Sequence, residues 1–468
     1  MIKKVIFWGT GNMGKLMLLF WKVQGYSPDF FCSNDETMWG KEIDGVPIIA
    51  PEEIKQYNKV DIYITCYAIK EIKRQLFQMG VSSENIVMAA NMYSRDLIFH
   101  IADELYKNYE ITEKNRTQGC YIDLNCGMVL GGVERWCYTI ADDFQKNGIN
   151  GAYIVPDMRP MKIVNATYNM IRPSEKAEKC LINECMKIFL RGEFSTIICN
   201  FPFEIFVAAC LAKRKCGNKI KLIAVIHNDE KIYYDVYCKF EEEIDLCLVI
   251  SNKIMRTMID KGFPREKLQM LYWNIPLEKV SNRCYSSANA PIRLGYAGRI
   301  TLLQKRIDLL LELAIKLKQR KINFRLDIAG RGDYEEELKI QIDNNDLAEN
   351  VRLLGYVEHG EIYDFWKKQD ICISCSDYEG HSISQSEAMA CGAVPVIMNT
   401  SGAEDDVKQG INGFIVESGN VDSMVDVIEE ISEKRHLLKK MGDECINIIN
   451  RRNEQMAFSE YWEPLLEV

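Results

Sequence analysis

Two glutamates, Glu379 and Glu387, are separated by seven residues in the run Asp377-Tyr378-Glu379-Gly380-His381-Ser382-Ile383-Ser384-Gln385-Ser386-Glu387-Ala388-Met389-Ala390-Cys391-Gly392. The small residues between and after them read as the start of a helix. The N–H groups of a helix start hold an anion, and the helix dipole favours negative charge there. A carboxylate repels phosphate but accepts hydrogen bonds from sugar hydroxyls. Carboxylates flanking a phosphate cradle therefore suit a nucleotide-sugar. A plainer reading competes: Ser384-x-x-Glu387 also has the spacing of a capping box, which only starts a helix. A second element upstream favours the chemical reading. Arg299 ends Leu294-Gly295-Tyr296-Ala297-Gly298-Arg299, and Lys305 follows six residues later. Two cations beside a strand end can neutralise a diphosphate.

These residues need strands and helices to bring them together. The apolar run Asp370–Cys375 reads as a buried parallel strand leading into the Glu379 loop. Leu294–Arg299 reads as another, ending in a glycine turn and followed by a helix over Asp308–Lys318. Apolar strands alternate with amphipathic helices through nearly the whole chain, which predicts α/β layers with doubly wound parallel sheets. Three Rossmann-like units are expected. The first runs from Met1 to about Asn91, with a helix over Ser94–Tyr109. The second runs from Cys120 to about Val280. The third begins at Ile292, after the polar stretch Ser281–Ala290, which reads as a linker. The domain limits are 1–110, 118–285 and 291–452, with a terminal helical segment over 453–468.

Together the motifs resemble the family-4 glycosyltransferases of the GT-B fold, over about residues 118 to 460. The resemblance rests on Gly298-Arg299 with Lys305, and on Glu379 with Glu387. Further along it rests on Ile328-Ala329-Gly330-Arg331-Gly332, Val351–Val357, Gly392–Val396 and Gly410–Val416. It implies two facing domains, an acceptor side and a donor side, with the terminal helix crossing back to the former. It also implies retaining transfer of a sugar from a nucleotide-diphosphate sugar, of the UDP type, to a saccharide or lipid-linked saccharide in bacterial surface-polysaccharide (capsule-like) synthesis. By resemblance, Arg299, Lys305, Glu379 and His227 carry the chemistry. Glu387, Gly131, Gly132, Gly298, Gly380, His381, Ser382, Ile383, Ser384, Val357 and Gly330 bind the donor. No metal and no cofactor is expected, because cationic side chains serve the leaving group. Arg306 stands where the family commonly has glycine after the lysine, so a second cation could reach the diphosphate.

The first unit is extra to that family. Gly9-Thr10-Gly11-Asn12-Met13-Gly14 follows a strand and opens a helix, the context in which G-x-G-x-x-G binds a nucleotide. Asp35 lies 21 positions after Gly14, just past the likely end of the next strand. Gly9, Gly11, Gly14 and Asp35 are thus the candidate nucleotide site of this unit, which resembles the small Rossmann-like domain of bacterial sugar acyltransferases and polysaccharide enzymes. A docking or regulatory module is the other reading. Built on this unit alone, the chain would be an NAD(P)-dependent oxidoreductase or epimerase. A non-catalytic nucleotide-sugar binder is the remaining alternative.

Bulk properties narrow the classes. At 468 residues the chain holds several domains. Its net charge of −9, without a long basic stripe, argues against nucleic acid as a partner. No apolar run approaches the roughly 20 residues that span a bilayer, and a cytoplasmic location is expected. Lys213-Arg214-Lys215 with Lys219 and Lys221 offers peripheral contact with an anionic membrane; a solvated loop is the alternative. Seventeen cysteines without a secretion signal fit a reducing compartment. Cys372 and Cys375, three apart on a strand, face opposite sides and read as core.

Overall fold

The computed structural model describes residues 3–23, 26–57, 59–66, 68–88, 116–124, 132–155, 168–171, 181–275 and 283–466. The expected helix over Ser94–Tyr109 and the residue Gly131 lie outside them.

Three sheets form, as the alternation of strands and helices predicts. The first takes β1 (Lys4–Trp8), β2 (Phe30–Cys32), β3 (Glu42–Ile43), β4 (Val46–Ile49), β5 (Val60–Ile64) and β6 (Ile86–Met88) in the order β3-β4-β2-β1-β5-β6. Only the β3–β4 pair is antiparallel. The second takes β7 (Thr117–Asp123), β8 (Asn150–Ile154), β9 (Asn169–Ile171), β10 (Phe194–Cys199), β11 (Lys221–Ile226), β12 (Leu246–Val249) and β13 (Leu268–Met270) in the order β13-β12-β11-β10-β7-β8-β9. The third takes β14 (Ile292–Ala297), β15 (Phe324–Ala329), β16 (Val351–Gly355), β17 (Ile371–Ser374), β18 (Val394–Met398) and β19 (Phe414–Val416) in the order β16-β15-β14-β17-β18-β19. Its pairings are all parallel.

Apolar runs rather than alternation mark these strands, because both faces are covered. In the first sheet Ile6 and Trp8 join one buried cluster with Cys32, Ile62 and Ile64, while Phe7 joins another with Phe31 and Ile48. In the third, Ile292, Leu294 and Tyr296 pack with the helix Ile307–Gln319 and with Ile371 and Ile373. Cys372 and Cys375 are both buried, as core residues should be.

Sheet order fixes where a ligand can sit. The third sheet grows from β14 outward through β15 and β16, then reverses to β17, β18 and β19 on the other side. The loops after β14 and β17 therefore leave in opposite directions and open a crevice at the carboxyl ends of the strands. The first sheet has the same reversal between β1 and β5.

The chain divides into two compact units. One holds residues 1–224 and 235–246; the other holds residues 225–234 and 247–467. Within the second unit, residues after β11 and β12 bond to loops of the third sheet. Ser251 Oγ meets Ser401 Oγ at 2.9 Å, and Asp405 accepts from both the backbone N–H and the side chain of Asn252 at 2.8 Å. Asn453 bonds the backbone of Ile275 at 3.0 and 2.6 Å, and Tyr461 donates to the Met270 carbonyl at 2.7 Å.

Two sequence expectations change. The polar stretch read as a linker is anchored in its described part. The Arg283 guanidinium donates to the carbonyls of Cys391 and Gln369, and Ser286 bonds Asp370 at 3.0 and 2.6 Å. Its polarity serves those bonds. The terminal segment does not begin a helix at Asn453: the helix His436–Gln455 runs through that position, and a new one covers Phe458–Leu466.

Candidate active site

The loop after β14 and the loop after β17 are stitched together across the reversal. Asp377 N–H donates to the Gln304 carbonyl at 3.0 Å, and Gln304 Nε2 donates to the Tyr378 carbonyl at 3.1 Å. Lys305 and Glu379 form an ion pair with side chains only 18% and 12% exposed. Arg299 is exposed and donates to Gln304 Oε1 at 2.5 Å, while its carbonyl accepts from the Tyr296 hydroxyl at 2.7 Å. Lys305 and Glu379, 74 residues apart in sequence, thus share one crevice rim with Arg299 through Gln304.

Glycines let the backbones meet there. Gly330 has φ 146°, and a Cβ on it would run into the Gly298 carbonyl. The Gly298 N–H donates to Ala329 O at 3.0 Å. A Cβ on Gly380 would strike the His227 carbonyl and the Ile250 side chain, and one on Gly402 would press on the Gly380 carbonyl. The Glu379 loop is therefore seated directly against the end of β11, where His227 sits buried. Burial pushes the His227 imidazole down to about pKa 3, so the ring is neutral. Close by, Asp229 is paired with Lys253 at 2.9 Å and accepts from the Tyr234 hydroxyl. Burial opposes its ionisation, but those bonds outweigh it and hold its carboxyl below the usual range.

The helix Ile383–Ala390 starts at the crevice. Its N-cap is Ser382, whose hydroxyl accepts from Gln385 N–H at 3.4 Å. The competing capping-box reading of Ser384 and Glu387 is thus set aside. Ser384 lies inside the first turn and donates to the Ala297 carbonyl at 2.8 Å, tying the helix start to the end of β14. Glu387, buried at 3% exposure, is two residues beyond the position that a capping glutamate would take.

Arg306 is also corrected. It has φ 45°, the left-handed conformation that glycine adopts freely. Its guanidinium bonds Asp308 at 2.9 Å and Asp377 at 3.0 Å, which raises its pKa. It braces the two loops and is not a spare cation for a diphosphate. His381 is a third change. Its side chain is 3% exposed and turned to Ser386 and Asp406, so only its backbone can line the crevice. Val357 follows β16 on the outer side of β15, half-buried.

In the first sheet the G-x-G-x-x-G turn is packed against its neighbours. Thr65 Oγ1 donates to the Gly9 carbonyl at 2.9 Å, and a Cβ on Gly14 would collide with that same carbonyl. Gly11 is exposed with open space around it. The Asp35 carboxylate accepts from the Thr37 N–H at 3.0 Å and the Thr37 hydroxyl at 2.7 Å, capping a short turn. Those hydrogen bonds lower its pKa. Gly132 opens the helix Gly132–Lys146. Lys213, first of the basic cluster, turns inward to Asp245 at 2.8 Å and the Ile220 carbonyl at 2.7 Å. It does not face a membrane. Among the described residues no helix is long and apolar enough to cross one.

Residues 286–447 match the family model described as glycosyl transferases group 1, and residues 1–87 match one described as C2185-like, N-terminal. The amylovoran biosynthesis glycosyltransferase AmsK of Erwinia amylovora is 27% identical over 203 residues, 42% of this chain and 50% of AmsK. The chain spans about half the length of the curated relatives it matches first. The solved lipopolysaccharide outer core galactosyltransferase WaaB superposes with a TM-score of 0.61 at 17% identity, over 74% of this chain and 98% of WaaB. Anabaena Alr3699/HepE, solved with UDP and glucose, gives 0.59 at 16% identity, over 73% of this chain and 98% of its own. The fold is that of GT-B glycosyltransferases, preceded by one further Rossmann-like unit.

Proposed function

We propose that the chain is a retaining glycosyltransferase of family-4 type. It would move a hexose-like sugar from a nucleotide-diphosphate sugar, UDP-linked, to a glycan or lipid-linked acceptor in surface-polysaccharide synthesis. The observation that carries this reading is the convergence of Arg299, Lys305, Glu379 and the start of the helix Ile383–Ala390 at the β14/β17 reversal. The donor's nucleotide lies over the carboxyl ends of β14 to β16, beside Gly298, Gly330 and Val357. Glu387 holds the ribose hydroxyls. The C–O bond from the anomeric carbon to the diphosphate breaks as the acceptor oxygen bonds that carbon on the same face. The acceptor proton passes to the departing diphosphate. Stabilising that leaving group is the largest expected catalytic effect. Arg299, Lys305 and the helix N–H groups supply it without a metal. When the diphosphate takes Lys305, Glu379 is released toward the sugar hydroxyls and the positive charge developing at the anomeric carbon. His227, neutral and buried, offers a hydrogen bond to the sugar.

The relatives' names agree with this setting: AmsK is described as acting in amylovoran biosynthesis, and Alr3699/HepE is seen with UDP and glucose. The first domain, 1–110, would bind a nucleotide through Gly9, Gly11 and Gly14, or serve docking. The experiment is a panel of nucleotide-sugars incubated with the purified protein, following release of nucleoside diphosphate and thermal shift together. Release with one donor, abolished in Arg299→Ala, is expected. No response to any donor, with a shift from NAD(P) alone, would overturn the reading.

A further inference from the structure

Behind the donor loop lies a buried polar cluster that the transfer chemistry does not use. Asp406 and His381 have side chains 1% and 3% exposed, and Arg452, on the helix His436–Gln455, has one 9% exposed. His381 Nε2 lies 2.9 Å from Ser386 Oγ and 3.4 Å from Asp406 Oδ2. Gln385 Nε2 donates to the same carboxylate oxygen at 3.2 Å. Arg452 forms an ion pair with the other oxygen, donates to the Asp405 carbonyl at 3.0 Å, and stacks 4.8 Å from the Tyr272 ring centre. Asn412 Nδ2 fixes the Asp406 carbonyl at 2.9 Å.

A carboxylate only accepts hydrogen bonds and the Ser386 hydroxyl can accept as well, so the tautomer with its proton on Nε2 is the one that suits both neighbours. Burial, stronger than the opposing pull of Asp406, lowers the His381 pKa and keeps the ring neutral. Nδ1 is buried with no partner among the described residues, so the Nε2 side orients the ring. Placing a carboxylate and a guanidinium inside a protein is costly, and apolar residues of like volume often give equal or better stability. What the cluster does supply is direction. The loop between Glu379 and the helix start contains Gly380, which has no side chain, and His381, whose side chain turns inward. A site residue must be held within about half an ångström to function.

We propose that Asp406 and His381 are a positioning pair that sets the Glu379–Ser384 loop for the donor, with Arg452 as the fixed counter-charge. This rests on the glycosyltransferase reading for its ligand, but not for its structural arm. Neither residue touches the donor through its side chain.

The test compares wild type with His381→Phe, His381→Gln and Asp406→Asn, using hydrogen exchange of the segment 379–390 in the ligand-free protein and calorimetric titration with UDP. Phe fills the space without an N–H; Gln returns an N–H near the Nε2 position. In His381→Phe and Asp406→Asn, exchange should rise in this segment and the UDP Kd by on the order of ten-fold, within the roughly hundred-fold that an ångström of misplacement costs. Gln should recover most of both. Unchanged exchange in the Phe variant would overturn the pair. So would faster exchange with an unchanged UDP Kd, or a loss of protection spread evenly over the chain. If wild type itself ignores UDP, the donor reading fails, while the exchange comparison of Phe with Gln still decides whether the pair sets the loop. Should His381→Phe not fold, Asp406→Asn against His381→Gln gives the same contrast.

Discussion

The protein builds the same topological crevice at the β1/β5 reversal and at the β14/β17 reversal, and furnishes them differently. Around β1 the turn is held by backbone and small groups: Thr65 caps the Gly9 carbonyl, Gly14 nests on it, and Asp35 is engaged by Thr37. Around β14 the rim carries Arg299, the Lys305–Glu379 pair and a helix start drawn in by Ser384. Topology supplies a place for a ligand in both cases. At the second reversal, charges of both signs stand together at one rim. The inference to function therefore belongs to side chains, and the fold by itself does not make it.

The largest test of that contrast is Arg299→Ala. Removing a donor aimed at developing negative charge costs about 3–4 kcal/mol of barrier. Nucleoside diphosphate release should fall by on the order of several hundred-fold or more. Arg299 is exposed and bonds mainly Gln304, so the melting temperature should hardly move. Near wild-type turnover would remove the cationic rim from the mechanism. Glu387→Gln follows, with a smaller effect. A hydrogen bond to a charged group is worth roughly 1.5–3 kcal/mol, and the loss should fall on donor Kd. If only the melting temperature drops, Glu387 is structural, although not through a capping box, since Ser382 is the cap.

Much of this was legible in the sequence, for physical reasons. Runs such as Val394–Met398 are apolar throughout because both faces of the sheet are covered, and a glycine follows where two backbones close up, as at Gly298 and Gly330. The types of Arg299, Lys305 and Glu379 and their places after strands are both informative, and the structure brings the three to one rim. For His381 and Arg306 the structure differs from the sequence reading. Sequence gives residue type but not the direction of a side chain, and a histidine within a donor loop can turn either way. Arg306 in place of glycine looked like an added cation. The left-handed turn it must make, with Asp308 and Asp377 beside it, makes it a brace instead. Asp405 and Asp406 carry no signal in the sequence because their partners, Asn252 and Arg452, lie far away in the chain.

The two buried histidines of the second unit give a gentler test, through pH. His227 has its pKa pushed down to about 3 and His381 is lowered too, both by burial. In the unfolded chain each titrates near 6.5. Between those values the unfolded state binds more protons, so stability rises with pH. The contribution is complete above about pH 6.5 and is lost progressively as pH falls toward 3. Buried carboxylates with lowered pKa values, Asp327 and Asp370, act only below about pH 4. Melting temperature should therefore decline between about pH 6.5 and 4, and His227→Gln should flatten that slope. An unchanged slope would assign it to other groups.

The smallest expected effect on folding sharpens the comparison from the first-sheet side. Gly14 and Gly11 belong to one motif but sit in opposite surroundings. A Cβ on Gly14 meets the Gly9 carbonyl, while one on Gly11 meets nothing within 4 Å. Gly14→Ala should thus destabilise residues 1–88 by about 1–3 kcal/mol, the range for backbone and packing clashes, whether or not a ligand binds there. Gly11→Ala should leave stability within about 0.5 kcal/mol, as surface changes do. Any loss it causes in nucleotide binding then reports direct contact, because no packing intervenes. Titrating the Gly11→Ala protein and wild type with a panel of nucleotides, read by thermal shift, separates the cases. A nucleotide shift weakened in the variant would show that the β1 crevice is a second ligand site built from backbone alone. Shifts equal in both proteins would leave the β14/β17 crevice as the place where the nucleotide acts, and the first domain as a docking module.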